Sequence, residues 1–200
     1  LIDNGWENKE NIKILSGGEA INESLKNSLT SISSNVWNLY GPTEASIWVT
    51  TQELKFSEKV IIGKSLNNVH VCILDNYDKI LPIGVAGELC IGGVQVARGY
   101  LNREELTQEK FIANPFVEGD RIYKTGDLAR WLPDGNIEYI GRKDNQVKIR
   151  GYRIELGEIE IRAAAPRQQL VNVVEEVEAE IHQAGRGRLA VNSQVLLVQV

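Results

Sequence analysis

The chain has 200 residues, is 42% apolar and 24% charged, and carries a net charge of −5. These are ordinary values for a folded protein with room for a sizeable core and one or two domains. The acidic balance argues against a general nucleic-acid binder, and no apolar run reaches bilayer-spanning length, so neither nucleic acid nor membrane is expected as a partner.

Ile12–Leu15 reads as a short strand. Ser16-Gly-Gly-Glu-Ala then opens a helix over about 19–30, with Ala20, Ile21, Leu25 and Leu29 at helical spacing. Val36–Tyr40 is a second strand, running into a Gly41-Pro42 turn, and Ile47–Thr51 extends beyond it. Strand–helix–strand order predicts an α/β layer over 1–58. From residue 59 the texture becomes β-rich. Short strands are predicted at 60–62, 69–74, 88–91, 121–124, 129–132, 137–140 and 147–149, punctuated by Pro82-Ile-Gly84, Gly92-Gly93 and Pro133-Asp-Gly-Asn136. Such spacing suggests a small barrel or sandwich over 59–143. One helix interrupts near 102–111, with Asn102 as its expected cap. A boundary falls near Asp144, followed by a Gly151 kink and a helix from about Leu156. Beyond Ala163 the pattern blurs: Val171–Val177 reads as helix or strand, and Leu189–Val200 as strand.

The N-terminus, Leu1-Ile-Asp-Asn-Gly, has no basic or apolar signal segment, and the chain has no Met. It reads as a piece of a longer cytoplasmic polypeptide. Cys72 and Cys90 both sit in apolar strand patterns, and two reduced, buried thiols are expected. His70 and His182 lack partners at zinc-ligand spacing.

Two segments carry the chemistry. Asn38-Leu-Tyr-Gly-Pro-Thr-Glu44 puts an amide, a ring, a hydroxyl and a carboxylate on one tight turn, and Tyr123-Lys-Thr-Gly-Asp127 ends a strand on a carboxylate. Together they offer a surface for a base, acceptors for ribose hydroxyls and a ligand for a divalent cation. Glu44 suits Mg²⁺ shared with phosphate oxygens, or is a solvated loop carboxylate. Thr43 donates to a phosphoryl oxygen, or bonds its own turn. Asp127, beside a glycine that permits close approach, accepts from a ribose diol or caps a turn. Tyr40 and Tyr139 end strands, where a ring stacks on a base or simply packs. Arg142 and Lys148 meet phosphate or ribose, or are solvated. Two decoys fall away. Gly63-Lys-Ser65 lacks the glycine a phosphate loop needs five residues earlier, where Glu58 stands, and Asn22-Glu-Ser24 matches a glycosylation acceptor without a secretory context.

With these motifs come Gly87-Glu-Leu-Cys-Ile-Gly-Gly93, Ala97-Arg-Gly-Tyr-Leu101, Leu132–Tyr139 and Gly141–Glu160, in that order. Over about residues 12–161 the chain closely resembles the adenylation domain of non-ribosomal peptide synthetases, within the adenylate-forming superfamily. Gln146–Glu160 resembles the peptide-synthetase version rather than that of acyl-CoA ligases. The resemblance implies the C-terminal part of a large AMP-binding lobe over 1–143, comprising a partial α/β layer and a small distorted β-barrel. The start of a partial α+β small lobe would follow over 144–200, diverging after about Ile161. It implies that ATP, Mg²⁺ and an amino acid give an aminoacyl-adenylate, and that the phosphopantetheine thiol of a peptidyl carrier protein, among the other modules of a multidomain synthetase, takes the aminoacyl group. It further implies that Tyr40 and Tyr139 flank adenine and Asn38 contacts its amino edge. Thr43 would meet the α-phosphate, Glu44 the Mg²⁺ and Asp127 the ribose diol. Arg142 would reach ribose and phosphate, and Lys148 would help hold the nucleotide. Asp144 falls at the hinge between lobes, and Gly151 on the approach to the pantetheine tunnel. Ile14, Ser16, Leu39, Ile47 and Trp48 take positions that line the amino acid pocket, a largely apolar wall with Trp48 bulky. Two rival readings are an acyl- or aryl-acid ligase, expected if the upstream segment lacks an Asp for a substrate ammonium, and a non-catalytic remnant that only docks a carrier protein.

The family's phosphate loop, its ammonium-binding Asp and its C-terminal catalytic Lys have no counterpart in residues 1–200. Fixed electrostatic donors supply most of such catalysis, each worth about 10²–10³ in rate. The 200-residue chain on its own is therefore expected to show no robust amino-acid-dependent ATP–pyrophosphate exchange; exchange at a rate useful to an enzyme would refute this.

Overall fold

The computed structural model describes residues 6, 8, 12–144, 146–149, 152–155, 191–192 and 195–199. β1 (Lys13–Gly17) buries Ile14 and Ser16 on one face by simple alternation. α1 (Glu23–Ile32) starts where Asn22 Oδ1 accepts the Leu25 N–H at 2.8 Å, one turn later than the Ser16-Gly-Gly signal suggests. Ala20 and Ile21 consequently precede the helix. β2 (Val36–Tyr40) returns parallel to β1, as a strand–helix–strand unit must. Ile14, Ile21, Leu29, Val36 and Leu54 close the core between sheet and helix. Burying each such side chain contributes about 1.5–3 kcal/mol before entropy is counted.

Past β2 the chain makes a single 3₁₀ turn, Thr43–Ala45. Ser46 and Ile47 then take positive φ (54° and 80°), and β3 (Thr50–Glu53) begins only beyond them. β3 runs antiparallel to β2, and β4 (Lys64–Ser65) antiparallel to β3. Val60–Ile62 is no strand. The Ile62 N–H donates to the Ile137 carbonyl at 3.0 Å, beside the Gly63–Ile137 bridge.

The β-rich part is an antiparallel five-stranded sheet. β5 (Val69–Leu74) pairs with β6 (Gly87–Gly93). After α2 (Glu104–Lys110) come β7 (Phe111–Ala113), β8 (Arg121–Trp131) and β9 (Ile137–Arg142). β8 joins the two strands expected at 121–124 and 129–132 into one. It has β6 on one side and, on the other, β7 along its first half and β9 along its second. Among the described residues this pairing is branched and open. Asn102 does not cap α2: it has φ 55°, and Arg103 occupies the cap position without a side-chain bond.

One face of this sheet meets the first sheet. Val69, Ile91, Phe111 and Tyr123 pack with Ala45 and Val49, while Ile73, Leu89, Ala129 and Ile137 pack with Ile62. Tyr40 touches both clusters. On the other face Cys72 and Cys90 stand directly opposite one another, both as free thiols, beside Leu74 and Ile122. β10 (Gln146–Ile149) and β11 (Tyr152–Glu155) form a hairpin that pairs only with itself among the described residues. β12 (Val191–Asn192) and β13 (Val195–Gln199) fall within the strand expected at 189–200, and β13 pairs in parallel with β1. The helix expected from Leu156 and the ambiguous 171–177 segment lie outside the described residues.

Glu138 on β9 is buried and receives both the Arg130 guanidinium (2.6 Å) and the Lys59 ammonium. Lys59 and then Arg130 hold its carboxyl below the usual range. A carboxyl lowered in the folded state stabilises above its unfolded pKa, and that gain disappears as pH falls through the folded value. Glu138→Gln is expected to cost about 1 kcal/mol at neutral pH, or about 2–4 °C in Tm. In paired thermal melts the gap to the parent should close below about pH 4.

Candidate functional site

A cleft of about 540 Å³ opens where the two sheets meet, a volume within the ordinary range for small-molecule sites. Its walls come from four places: the Gly18–Ile21 turn after β1, the end of β2 with Asn38–Gly41, the Val60–Ile62 segment, and Asp127, Tyr139, Arg142 and Gln146.

A chain of polar contacts crosses it. Tyr40 Oη donates to Asp127 Oδ2 at 2.5 Å, joining segments 87 residues apart. Arg142 Nη1 donates to Asp127 Oδ1 at 2.9 Å and to the Thr125 carbonyl at 2.9 Å. The same guanidinium clasps Asp144 through Nε (2.8 Å) and Nη2 (2.5 Å). Burial favours neutral Arg142, but Asp144 and Asp127 outweigh it and raise its pKa further. Burial likewise opposes ionised Asp144, and Arg142 overcomes that, lowering it. Burial and the Asp127 charge both push the Tyr40 and Tyr139 hydroxyls up, so both remain donors. Each Asp127 oxygen accepts one of these bonds. A carboxylate has about four lone-pair sites, which leaves acceptor capacity toward the cleft.

Backbone geometry fixes this arrangement. Gly126 has φ +74°, and a Cβ there would lie 2.8 Å from Arg142 Nη2 and 3.0 Å from Asp144 Oδ2. A Cβ on Gly41 would meet the Ile47 carbonyl at 2.2 Å, so the turn after Tyr40 closes only on glycine.

Of the residues singled out in the sequence, Asn38, Leu39, Tyr40, Asp127, Tyr139 and Arg142 line the cleft. Asn38 is buried and donates to the Ile61 carbonyl at 2.8 Å, tying β2 to the opposite wall. The Tyr40 and Tyr139 rings have centroids 6.4 Å apart at 38°. That is the spacing of rings in direct contact rather than of a slot holding a base between them. Thr43 is exposed on its 3₁₀ turn and outside the cleft lining. Glu44 is 7% exposed, also outside that lining, and accepts from Tyr100 Oη at 2.6 Å. Ile14 lies in the core under α1, and Ser16 is buried with its Oγ lacking a hydrogen-bond partner among the described residues. Ile47 is 59% exposed. Trp48 packs so close to Gly17 that a Cβ there would lie 2.6 Å from its ring. The Lys148 backbone pairs with Arg153 on the β10–β11 hairpin, while its side chain and the whole of Gly151 lie outside the described residues. Sequence reasoning missed Gly18–Ile21, Val60–Ile62 and Gln146 as walls. The first was detectable, since a glycine pair just beyond the carboxyl end of a parallel strand is where open α/β sheets bind ligands.

The family model for AMP-binding enzymes matches residues 7–101. Tyrocidine synthase 3 of Brevibacillus parabrevis is 50% identical over 174 residues, covering 84% of this chain and 3% of that protein. Bacitracin synthase 1 of Bacillus licheniformis is 60% identical over 129 residues, 62% of this chain and 2% of that protein. Among solved structures, the Vibrio cholerae adenylation domain AlmE in complex with glycyl-adenosine-5′-phosphate superposes with a TM-score of 0.66 at 33% identity, over 74% of this chain and 29% of that one. A four-domain nonribosomal peptide synthetase bound to AMP and glycine gives 0.68 at 39% identity, over 80% and 12%. The chain thus spans a few per cent of the length of the curated relatives it matches. Residues 7–101 match the AMP-binding enzymes, and most of the chain is similar to part of a non-ribosomal peptide synthetase adenylation domain.

Gly126→Ala should be costly on both grounds, positive φ and collision with the Arg142–Asp144 pair. We expect a loss of about 1–3 kcal/mol in urea denaturation with an unchanged m-value.

Proposed function

We propose that this chain supplies the ribose- and base-binding walls of an amino-acid-activating site. In the reaction, a carboxylate oxygen of the amino acid attacks the α-phosphorus of ATP. The bond to the β-phosphate oxygen breaks and pyrophosphate leaves. The thiol of a carrier-bound phosphopantetheine then attacks the acyl carbon of the adenylate, AMP departs, and the thiol proton passes to solvent or base. The setting is a cytoplasmic multidomain synthetase with a peptidyl carrier protein as partner.

One observation carries this reading: Tyr40 meets the Asp127–Arg142 pair of the β8–β9 hairpin, 87 residues further along the chain, on one cleft. Asp127 accepts from the ribose diol. Tyr40 and Arg142 hold its carboxylate fixed, so little reorganisation accompanies binding. Tyr139 offers a ring face to the base, Asn38 an amide edge, and Arg142 its cationic face to ribose and phosphate. Asp144, clasped by Arg142, is the hinge between a large lobe over 1–143 and a small lobe beginning at 144, with Lys148 and Gly151 carried on the small-lobe side. Thr43 reaches the α-phosphate. Leu39, Ile47, Trp48, Ser16 and Ile14 belong to the strands and turn behind the amino acid pocket. Glu44 stands outside the cleft lining with Tyr100 on one of its carboxylate oxygens, and to hold Mg²⁺ it would have to present the other oxygen to the phosphates.

Calorimetric titration with AMP tests the reading. Asp127→Asn retains shape but removes the charge that strengthens the diol bonds, and should weaken binding by about tenfold or more. Equal affinity of the variant and its parent would remove Asp127 from the nucleotide site.

A further inference from the structure

Opposite Asp127 the ladder between β6 and β8 breaks. Glu88 pairs with Leu128 and Cys90 with Lys124, so three residues, Thr125, Gly126 and Asp127, face Leu89 alone. Bulges of this kind re-aim a side chain and leave backbone groups to be satisfied elsewhere. Here the Gly126 and Asp127 N–H groups and the Leu89 carbonyl have partners. Glu88 Oε1 accepts the Gly126 N–H at 3.1 Å, Thr125 Oγ1 donates to the Leu89 carbonyl at 2.7 Å, and the Asp127 N–H donates to Thr125 Oγ1 at 3.0 Å.

The Glu88 carboxylate is buried (7% exposed), and its other oxygen takes the Lys143 ammonium at 3.2 Å. Lys143 also donates to Asn76 Oδ1 at 3.0 Å, and its own N–H donates to the Gly126 carbonyl at 2.8 Å. Both backbone polar groups of Gly126 are thereby held, the N–H by the Glu88 carboxylate and the C=O by the Lys143 N–H. Lys143 sits between Arg142, which grips Asp127, and Asp144.

We propose that Glu88, braced by Lys143, is a positioning residue that holds the 125–127 bulge in register and so aims Asp127 at a ribose diol. This rests on the nucleotide reading above and names the residue that makes Asp127 selective. Glu88 touches no ligand; it acts through the Gly126 amide. A buried amide left without its acceptor costs about 1–3 kcal/mol, enough to let the bulge find another arrangement.

The test is the ratio of affinities for AMP and 2′,3′-dideoxy-AMP, measured by calorimetry on the 200-residue chain. The parent should prefer AMP by about tenfold or more, as one or two charge-assisted bonds supply, and Asp127→Asn should abolish that preference. Glu88→Met should bring the ratio to within about twofold of unity, and the Gly126 amide resonance should lose its hydrogen-bonded shift. Glu88→Gln, which retains the acceptor, should restore both. A residue with only a stabilising role would weaken both nucleotides alike. A parental ratio in folded Glu88→Met therefore overturns the proposal. Should Glu88→Met not fold, Lys143→Met, at a half-exposed side chain, should lower the ratio severalfold, and an unchanged ratio overturns the proposal equally. A parent with no diol preference overturns the nucleotide reading itself, and this inference with it.

Discussion

The hydrogen bond from Tyr40 to Asp127 is the contact on which the rest of the molecule turns. It links the end of a strand in the mixed sheet to a bulge in the antiparallel sheet, 87 residues away. The Tyr40 ring also packs against both clusters that join the sheets. Burial of apolar surface brings the layers together without direction; this directional bond then fixes how they face each other. The cleft is the space left beside it.

Arg142 extends the constraint. It is shared between Asp127 in the cleft and Asp144, two residues further along the chain. Two carboxylates around one partly buried guanidinium keep it charged despite desolvation, while Asp127 takes Arg142 at one oxygen and Tyr40 at the other. The same guanidinium roofs Gly126, which is why only glycine suits that position. Positions 126, 127, 142 and 144 thus form one steric and electrostatic unit.

Much of this was legible in the chain, for identifiable reasons. Val36–Tyr40 and Val69–Leu74 were read with their observed bounds, because alternation or an apolar run met an unambiguous Gly-Pro or Asp-Asn boundary. The meeting of Tyr40 with Asp127 was inferable only because motif chemistry pointed both at one ligand; no local periodicity encodes a contact across 87 residues. The bulge was invisible, and 121–131 read as two strands because Gly126 looks like an ordinary breaker. Positive φ at Ser46 and Ile47 was not legible either, because it is imposed by closure of the turn rather than by residue type. Glu88 looked like any strand glutamate, since its role depends on a neighbour 38 residues away.

Tyr40's position between the two apolar clusters has a thermodynamic consequence. Its ring cannot shift without loosening both sheets, so ligand affinity and fold stability draw on the same side chain. Substitutions at Ile73, Leu89 or Val49, none of which faces the cleft, would then soften recognition in proportion to how much they slacken the joint. Such distant changes would register first as faster ligand escape, before any loss of folded protein became measurable.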